Sequence, residues 1–235
     1  MTRVAPAARL FDLLRSVGPV APLVLALFVW WRLPGSAPHG LDADLERQCV
    51  DFLAEIYACG GSGTIVADRK AAIAGEVGAL RPDAADALVR LGEHVDHALA
   101  DIPRGFAHGD FWRENLLVGE GRLTGVIDWV RAQADSLPLL DLIHLRTAER
   151  DVSRIPFGRT VCDELIPWAR AGGDDLARRF ASRVAIDLDP ERLEALVFAY
   201  WLERLAVELL THRSHGDQAW LVGNLDPVLA AIGSD

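Results

Sequence analysis

The sequence predicts an α+β fold, mostly helical with one small β-hairpin, and three observations predict it. Apolar residues recur at helical spacing over residues 40–58 and again after Pro82. Between Phe106 and Ile127 the period becomes extended, and glycines punctuate two short apolar runs. Beyond that point the pattern returns to helix. With 235 residues, 51% of them hydrophobic, the chain can bury a full core as one domain, or as one large lobe with an appendage.

Taken in order, the first feature is the uncharged run Ser16–Trp31, inside an apolar N-terminal segment of residues 1–39. It is shorter than the ~20 residues that span a bilayer, and Pro19 and Pro22 interrupt it. Arg3, Arg9 and Arg15 precede it as in a signal peptide, but Trp30-Trp31-Arg32 is a poor approach to a cleavage site. The run reads as a buried helix or strand pair, with membrane contact or a signal sequence as alternatives.

Residues 40–58 read as a helix capped by Asp42 or Asp44, with Leu45, Val50, Leu53, Ile56 and Tyr57 recurring at near-helical spacing. The glycines after Cys59 break it. Pro82-Asp83 opens a second helix with Leu88, Leu91, Val95 and Leu99 on one face, and Pro103-Arg104-Gly105 closes it. Phe106-Ala107-His108 then leads into a turn at Gly109-Asp110. Asn115–Val118, Gly119–Gly121 and Arg122–Ile127 read as strand, turn and strand. Such a hairpin brings Asn115, at the start of one strand, next to Asp128, at the end of the other. The stretch from Arg131 to Asp135 reads as a solvated loop. Asp189-Pro190 starts a long helix through Leu193, Val197, Tyr200, Trp201 and Leu205.

Composition narrows the partners. A net charge of −10 argues against nucleic acid and fits a cationic or neutral small substrate. Three cysteines, Cys49, Cys59 and Cys162, show neither metal-ligand spacing nor a disulfide framework, which points to a reducing cytoplasm. Basic residues are almost all arginine, and Lys70 is the only lysine.

The chemistry concentrates between His108 and Asp128. Phosphoryl transfer needs a carboxylate to orient and deprotonate a hydroxyl, and oxygen ligands to hold Mg²⁺ against phosphates. Asp110 in its turn, Asn115 five residues on and Asp128 after the hairpin meet that need. The triplet His-Gly-Asp alone is weak evidence, because the chain repeats it at His215-Gly216-Asp217. There, Val222 stands where an Asn would be required, and no hairpin or Ile-Asp-Trp follows. The second copy reads as a loop near a helix end.

The composite His108-Gly109-Asp110, Asn115, Ile127-Asp128-Trp129 resembles the catalytic segment of the aminoglycoside phosphotransferase and choline kinase families, relatives of the protein kinases. The resemblance implies a kinase-like helical lobe over roughly residues 40–230, within a phosphotransferase-like unit of 40–235. It implies Asp110 as catalytic base and Asn115 and Asp128 as Mg²⁺ ligands, with ATP as phosphoryl donor. It gives His108 the part of bracing the turn. Leu137–His144 resembles the family's downstream Pro-x-x-Asp-Leu segment, so Asp141 is expected to hydrogen-bond the catalytic loop. His144 reads as a core or supporting residue. Arg113 and Glu114 depart from the small residues usual before this Asn; Arg113 reads as an exposed loop residue.

An enzyme of this family also has an N-terminal lobe with a phosphate-covering loop and a lysine that pairs the phosphates. Too few residues precede the catalytic helices for such a lobe, so the expectation is one that is truncated or absent. Gly60–Gly63 with Lys70 reads as a surface loop rather than that machinery compressed. The expected function is ATP- and Mg²⁺-dependent phosphorylation of a small-molecule hydroxyl, inactive alone if the lobe must come from a separate chain. The other reading is a catalytically silent, pseudokinase-like domain that binds a protein partner or metabolite.

Overall fold

The computed structural model describes residues 35–60, 81–148, 156–211 and 218–232. The run Ser16–Trp31, most of Gly60–Gly63, Lys70 and the second His-Gly-Asp triplet lie outside the described residues. In chain order the elements are α1 (Ala43–Ala58), α2 (Pro82–Ala98), β1 (Gly105–Ala107), β2 (Leu116–Gly119), β3 (Arg122–Val126), β4 (Gln133–Ser136) and α3 (Leu140–Thr147). There follow α4 (Phe157–Thr160), a π-helical stretch Val161–Leu165, α5 (Ile166–Arg170), α6 (Asp175–Val184), α7 (Pro190–Thr211), α8 (Gln218–Asn224) and α9 (Asp226–Ile232). Among the described residues strands are few and short, and helices dominate beside two small antiparallel sheets. Contacts divide the chain into two compact units.

The first unit holds α1, the four strands, α3 and the C-terminal part of α6. Asp42 caps α1: its Oδ1 accepts from the amides of Asp44 at 3.0 Å and Leu45 at 2.8 Å. That bond satisfies donors the helix itself leaves open. The stripe Leu45, Cys49, Val50, Leu53, Ile56 and Tyr57 is buried, and α1 packs on β1, β3 and α3. Tyr57 Oη donates a short hydrogen bond to the Pro103 carbonyl, tying the end of α1 to the entry of β1. Phe180 of α6 meets the Tyr57 ring edge-on at 5.6 Å, and Arg179 forks onto Asp51 at 2.6 and 2.7 Å.

The hairpin β2–β3 forms because its loop is built for it. Glu120 and Gly121 both have positive φ, 53° and 71°, as a two-residue primed turn requires, and Gly119 pairs with Arg122 across it. Leu117 faces Gly125 while Val118 faces Leu123, so Thr124 bulges out, and its hydroxyl donates to the Leu117 carbonyl at 3.0 Å. The outer edge of β2 is covered by Ser36, which exchanges two backbone hydrogen bonds with Val118 at 2.9 and 3.2 Å.

β1 and β4 pair antiparallel, Gly105 opposite Ser136 and Ala107 opposite Gln133. This corrects the reading of Arg131–Asp135 as a solvated loop. The sequence Gln-Ala-Asp-Ser carries no apolar alternation; what recruits it is the backbone of β1, whose donors and acceptors need partners once buried.

The second unit is helical. Pro82 occupies the first turn of α2, and Arg81 bridges Asp83 at 2.8 Å and Asp226 of α9 at 2.9 Å. The Asp189 carboxylate accepts from the Arg192 amide at 2.8 Å and caps α7. From Leu193 to Ala206, α7 is buried on nearly every face, as a helix in the middle of a bundle must be. It packs on α2 and α5. Trp201, fully buried, donates its indole N–H to the Asn224 carbonyl at 3.1 Å. No helix among the described residues is long and apolar enough to cross a membrane.

Candidate active site

The site lies within the first unit, where β1 runs out at His108. Gly109 takes φ +81°, and a Cβ there would stand 2.2 Å from the Arg131 carbonyl oxygen, so only glycine allows the turn this close approach. The two amides that the turn exposes are met by one carboxylate. Asp141, in the first turn of α3, accepts from His108 N at 2.6 Å and Gly109 N at 2.8 Å. Burial pushes the Asp141 carboxyl up, against the pull of His108 and the two amides.

His108 has no exposed surface. Its Nε2 lies 2.8 Å from the Ile127 carbonyl and its Nδ1 accepts from the Asp110 amide at 3.3 Å. Those partners assign the proton to Nε2. The ring also meets Trp129 edge-on at 4.5 Å between centroids. Burial holds His108 below the ordinary histidine range, although Asp141, Asp110 and Asp128 are all near enough to favour its cation. The imidazole is therefore a neutral brace between the turn and the end of the hairpin. Phe111, fully buried, stacks on Phe52 at 6.0 Å and anchors the residue after Asp110.

Asn115 closes a 3-10 turn, Arg113–Asn115, and is buried. Its Nδ2 donates to the Asp110 carbonyl at 2.8 Å, and its own carbonyl accepts from the Ile127 amide at 2.9 Å. Both His108 and Asn115 thus fasten to Ile127, the neighbour of Asp128. Asp128 itself is exposed and left-handed, φ 60° and ψ 62°, at the start of the 3-10 turn Trp129–Arg131. A non-glycine residue held there is strained, and such strain concentrates at functional sites.

His144, read from the sequence as a core or supporting residue, has its partner identified by the structure. His144, one helical turn beyond Asp141 on α3, places its Nε2 3.1 Å from Asp110 Oδ1. The only sequence signal for it is the shared helix face with Asp141. Arg113 differs from expectation. Rather than lying exposed, it is half-buried and donates from Nη1 to the His39 carbonyl at 2.7 Å, because a main-chain acceptor lies within its reach.

The donor chemistry suits a hard divalent ion: with the Asn115 amide nitrogen committed to the loop, its Oδ1 is the atom that would meet one, and Asp128 adds an exposed carboxylate. Mg²⁺ commonly takes only one or two protein oxygens and completes its shell with phosphates and water. Among the described residues no group of three or more His, Cys, Asp or Glu forms a self-sufficient metal cage. Burial pushes the Cys49 thiol up to about 12 and raises that of Cys162, which disfavours a thiolate at both. What remains is the Asp110 carboxylate, 3.1 Å from His144 Nε2, in a turn that Asn115 ties down and that the hairpin connects to Asp128.

Comparison with known proteins gives the family. Residues 2–160 match the phosphotransferase enzyme family (APH), and the chain belongs to it. The match begins inside the segment 1–39, which the motifs alone leave outside the resemblance. Among solved structures, one similar chain is a thermostable mutant of aminoglycoside phosphotransferase APH(4)-Ia in ternary complex with ADP and hygromycin B. It is 20% identical with a TM-score of 0.46, over 87% of this chain and 71% of that one. The apo form of an APH(4)-Ia thermostable mutant gives 20% and 0.45, over 85% and 70%. The macrolide 2'-phosphotransferase MphH from Brachybacterium faecium gives 19% and 0.41, over 82% and 67%. No curated protein sequence matches.

Proposed function

We propose that this phosphotransferase uses Mg²⁺ and ATP to phosphorylate a hydroxyl of a small molecule in a reducing, cytoplasmic setting. What supports the reading is the set of bonds that fixes the turn: Asn115 Nδ2 donates to the Asp110 carbonyl, and His108 and Asn115 both fasten to Ile127, the neighbour of Asp128. Asp110 is the base: as the acceptor oxygen bonds the γ-phosphorus, its proton passes to the Asp110 carboxylate. The bond from that phosphorus to its bridging oxygen breaks, and ADP leaves. Asn115 Oδ1 and Asp128 would hold the Mg²⁺, which supplies charge neutralisation at the phosphates. His108 and Asp141 keep the loop in register, and their part is positioning. The acidic chain suits a neutral or cationic acceptor better than an anionic one.

The test is transfer of labelled γ-phosphoryl from Mg·ATP to a panel of aminoglycosides, choline, homoserine and simple sugars. The reading expects a labelled product from at least one acceptor and none from Asp110→Asn. A silent binding domain is the second reading, favoured by the single lysine, Lys70. It expects no labelled product with any acceptor, and ligand binding unaffected by Asp110→Asn.

A further inference from the structure

The carboxylate of Asp110 is the one group in the turn that must face solvent and still hold a fixed direction. Its side chain keeps 24% exposure, against 9% for His144. The backbone of Asp110 is tied on both sides, its amide to His108 and its carbonyl to Asn115. Those bonds fix the Cα, but a carboxylate can still rotate about Cβ–Cγ and exchange its two oxygens. The bond from α3 restrains that rotation: His144 Nε2 sits 3.1 Å from Oδ1. An ionised carboxylate only accepts hydrogen bonds, so Nε2 carries the proton.

α3 therefore grips the turn twice, three residues apart. Asp141 takes the two amides and His144 takes the carboxylate. The helix is itself buried through Leu140, Leu142, Ile143 and Leu145, so it is a rigid support for both side chains.

We propose that His144 is the positioning residue of the base: its Nε2–H holds Asp110 Oδ1 and so helps set the direction in which the carboxylate meets the acceptor hydroxyl. This inference rests on the reading of Asp110 as the base. It makes no use of His144 in proton transfer itself. Losing the bond loosens the carboxylate while the acceptor and nucleotide contacts stay as they were. The defect belongs in kcat and not in either KM.

The experiment compares wild type, His144→Leu, which keeps volume without a donor, and His144→Gln, whose amide reaches a similar distance. His144→Leu is expected to lower kcat about 10- to 100-fold, as a misdirected catalytic group does, with both KM values within about twofold. His144→Gln should recover most of the loss; a purely space-filling role predicts the opposite order, Leu tolerated and Gln poor. An unchanged kcat in His144→Leu, or no recovery with Gln in a folded protein, overturns the proposal.

A second measurement needs no turnover. Imidazole NMR should show the His144 ring resonances moving when Asp110→Asn changes the group that faces Nε2. Unchanged resonances overturn the contact. A wild-type chain that transfers nothing to any acceptor refutes instead the reading of Asp110 as base, and the positioning role with it.

Discussion

Asp141→Ala removes the carboxylate that meets two amides of the turn. The Asp141 oxygens accept from His108 N at 2.6 Å and Gly109 N at 2.8 Å, and the carboxylate is buried. Alanine leaves both donors without their acceptor. Each buried donor left open costs about 1–3 kcal/mol, so the pair costs about 2–6 kcal/mol. The removed carboxylate was itself expensive to bury, and that saving pulls the total toward the lower half of the range. Asp141→Asn keeps one acceptor oxygen and should lose about half as much, which separates hydrogen bonding from bulk. Urea denaturation followed by far-UV circular dichroism measures both, with unchanged slope m as the check that the same surface unfolds. A loss below about 1 kcal/mol for Asp141→Ala would refute the claim that this carboxylate holds the turn.

Three further outcomes follow from the same geometry. Gly109→Ala should lose about 2–4 kcal/mol and most activity, because φ +81° is left-handed and the Arg131 carbonyl would have to retreat from a Cβ 2.2 Å away. Gly121→Ala, at φ +71° with nothing within 4 Å, should cost only about 1–2 kcal/mol; equal losses at the two positions in thermal melts would contradict the steric account. The folded state holds His108 below its ordinary value of 6.5, so the unfolded chain takes the proton first as pH falls. The His108 contribution is therefore complete above about pH 6.5 and is lost below it by up to ~1.4 kcal/mol per pH unit; His108→Gln should flatten the profile of melting temperature between pH 7 and 5, and an equally steep profile would count against a neutral His108.

What the sequence shows and what it hides separate by distance along the chain. The α1 cap is written locally in Asp42, and the hairpin turn in Gly119-Glu120-Gly121, whose register then sets Asn115 against Ile127. α7 announces itself through Asp189-Pro190 and its apolar run. β4 is silent, because Gln133–Ser136 is recruited by the backbone of β1 and not by its own side chains. The bond from His144 to Asp110 spans 34 residues and depends on which way α3 is turned, which no local pattern carries. Arg113 likewise needs the position of His39 before its acceptor is visible. Residue order thus suggests the chemistry, while the contacts that aim it are long-range.

The central claim is that Asn115 and Asp128 hold a divalent ion beside Asp110, and a paramagnetic probe tests it most directly. Mn²⁺ titrated with ADP into isotope-labelled protein broadens NMR signals steeply with distance, and works even when binding is weak. The account predicts the strongest broadening at the Asn115 side-chain amide and at the backbone amides of Asp128 and Trp129. The broadening should require ADP, and Asp128→Ala should abolish it. The opposite result is broadening spread over surface carboxylates such as Asp44 and Asp175, indifferent to ADP and to Asp128→Ala. That outcome would mean the ion responds only to the net charge of −10, and the proposed phosphoryl-transfer site would fall.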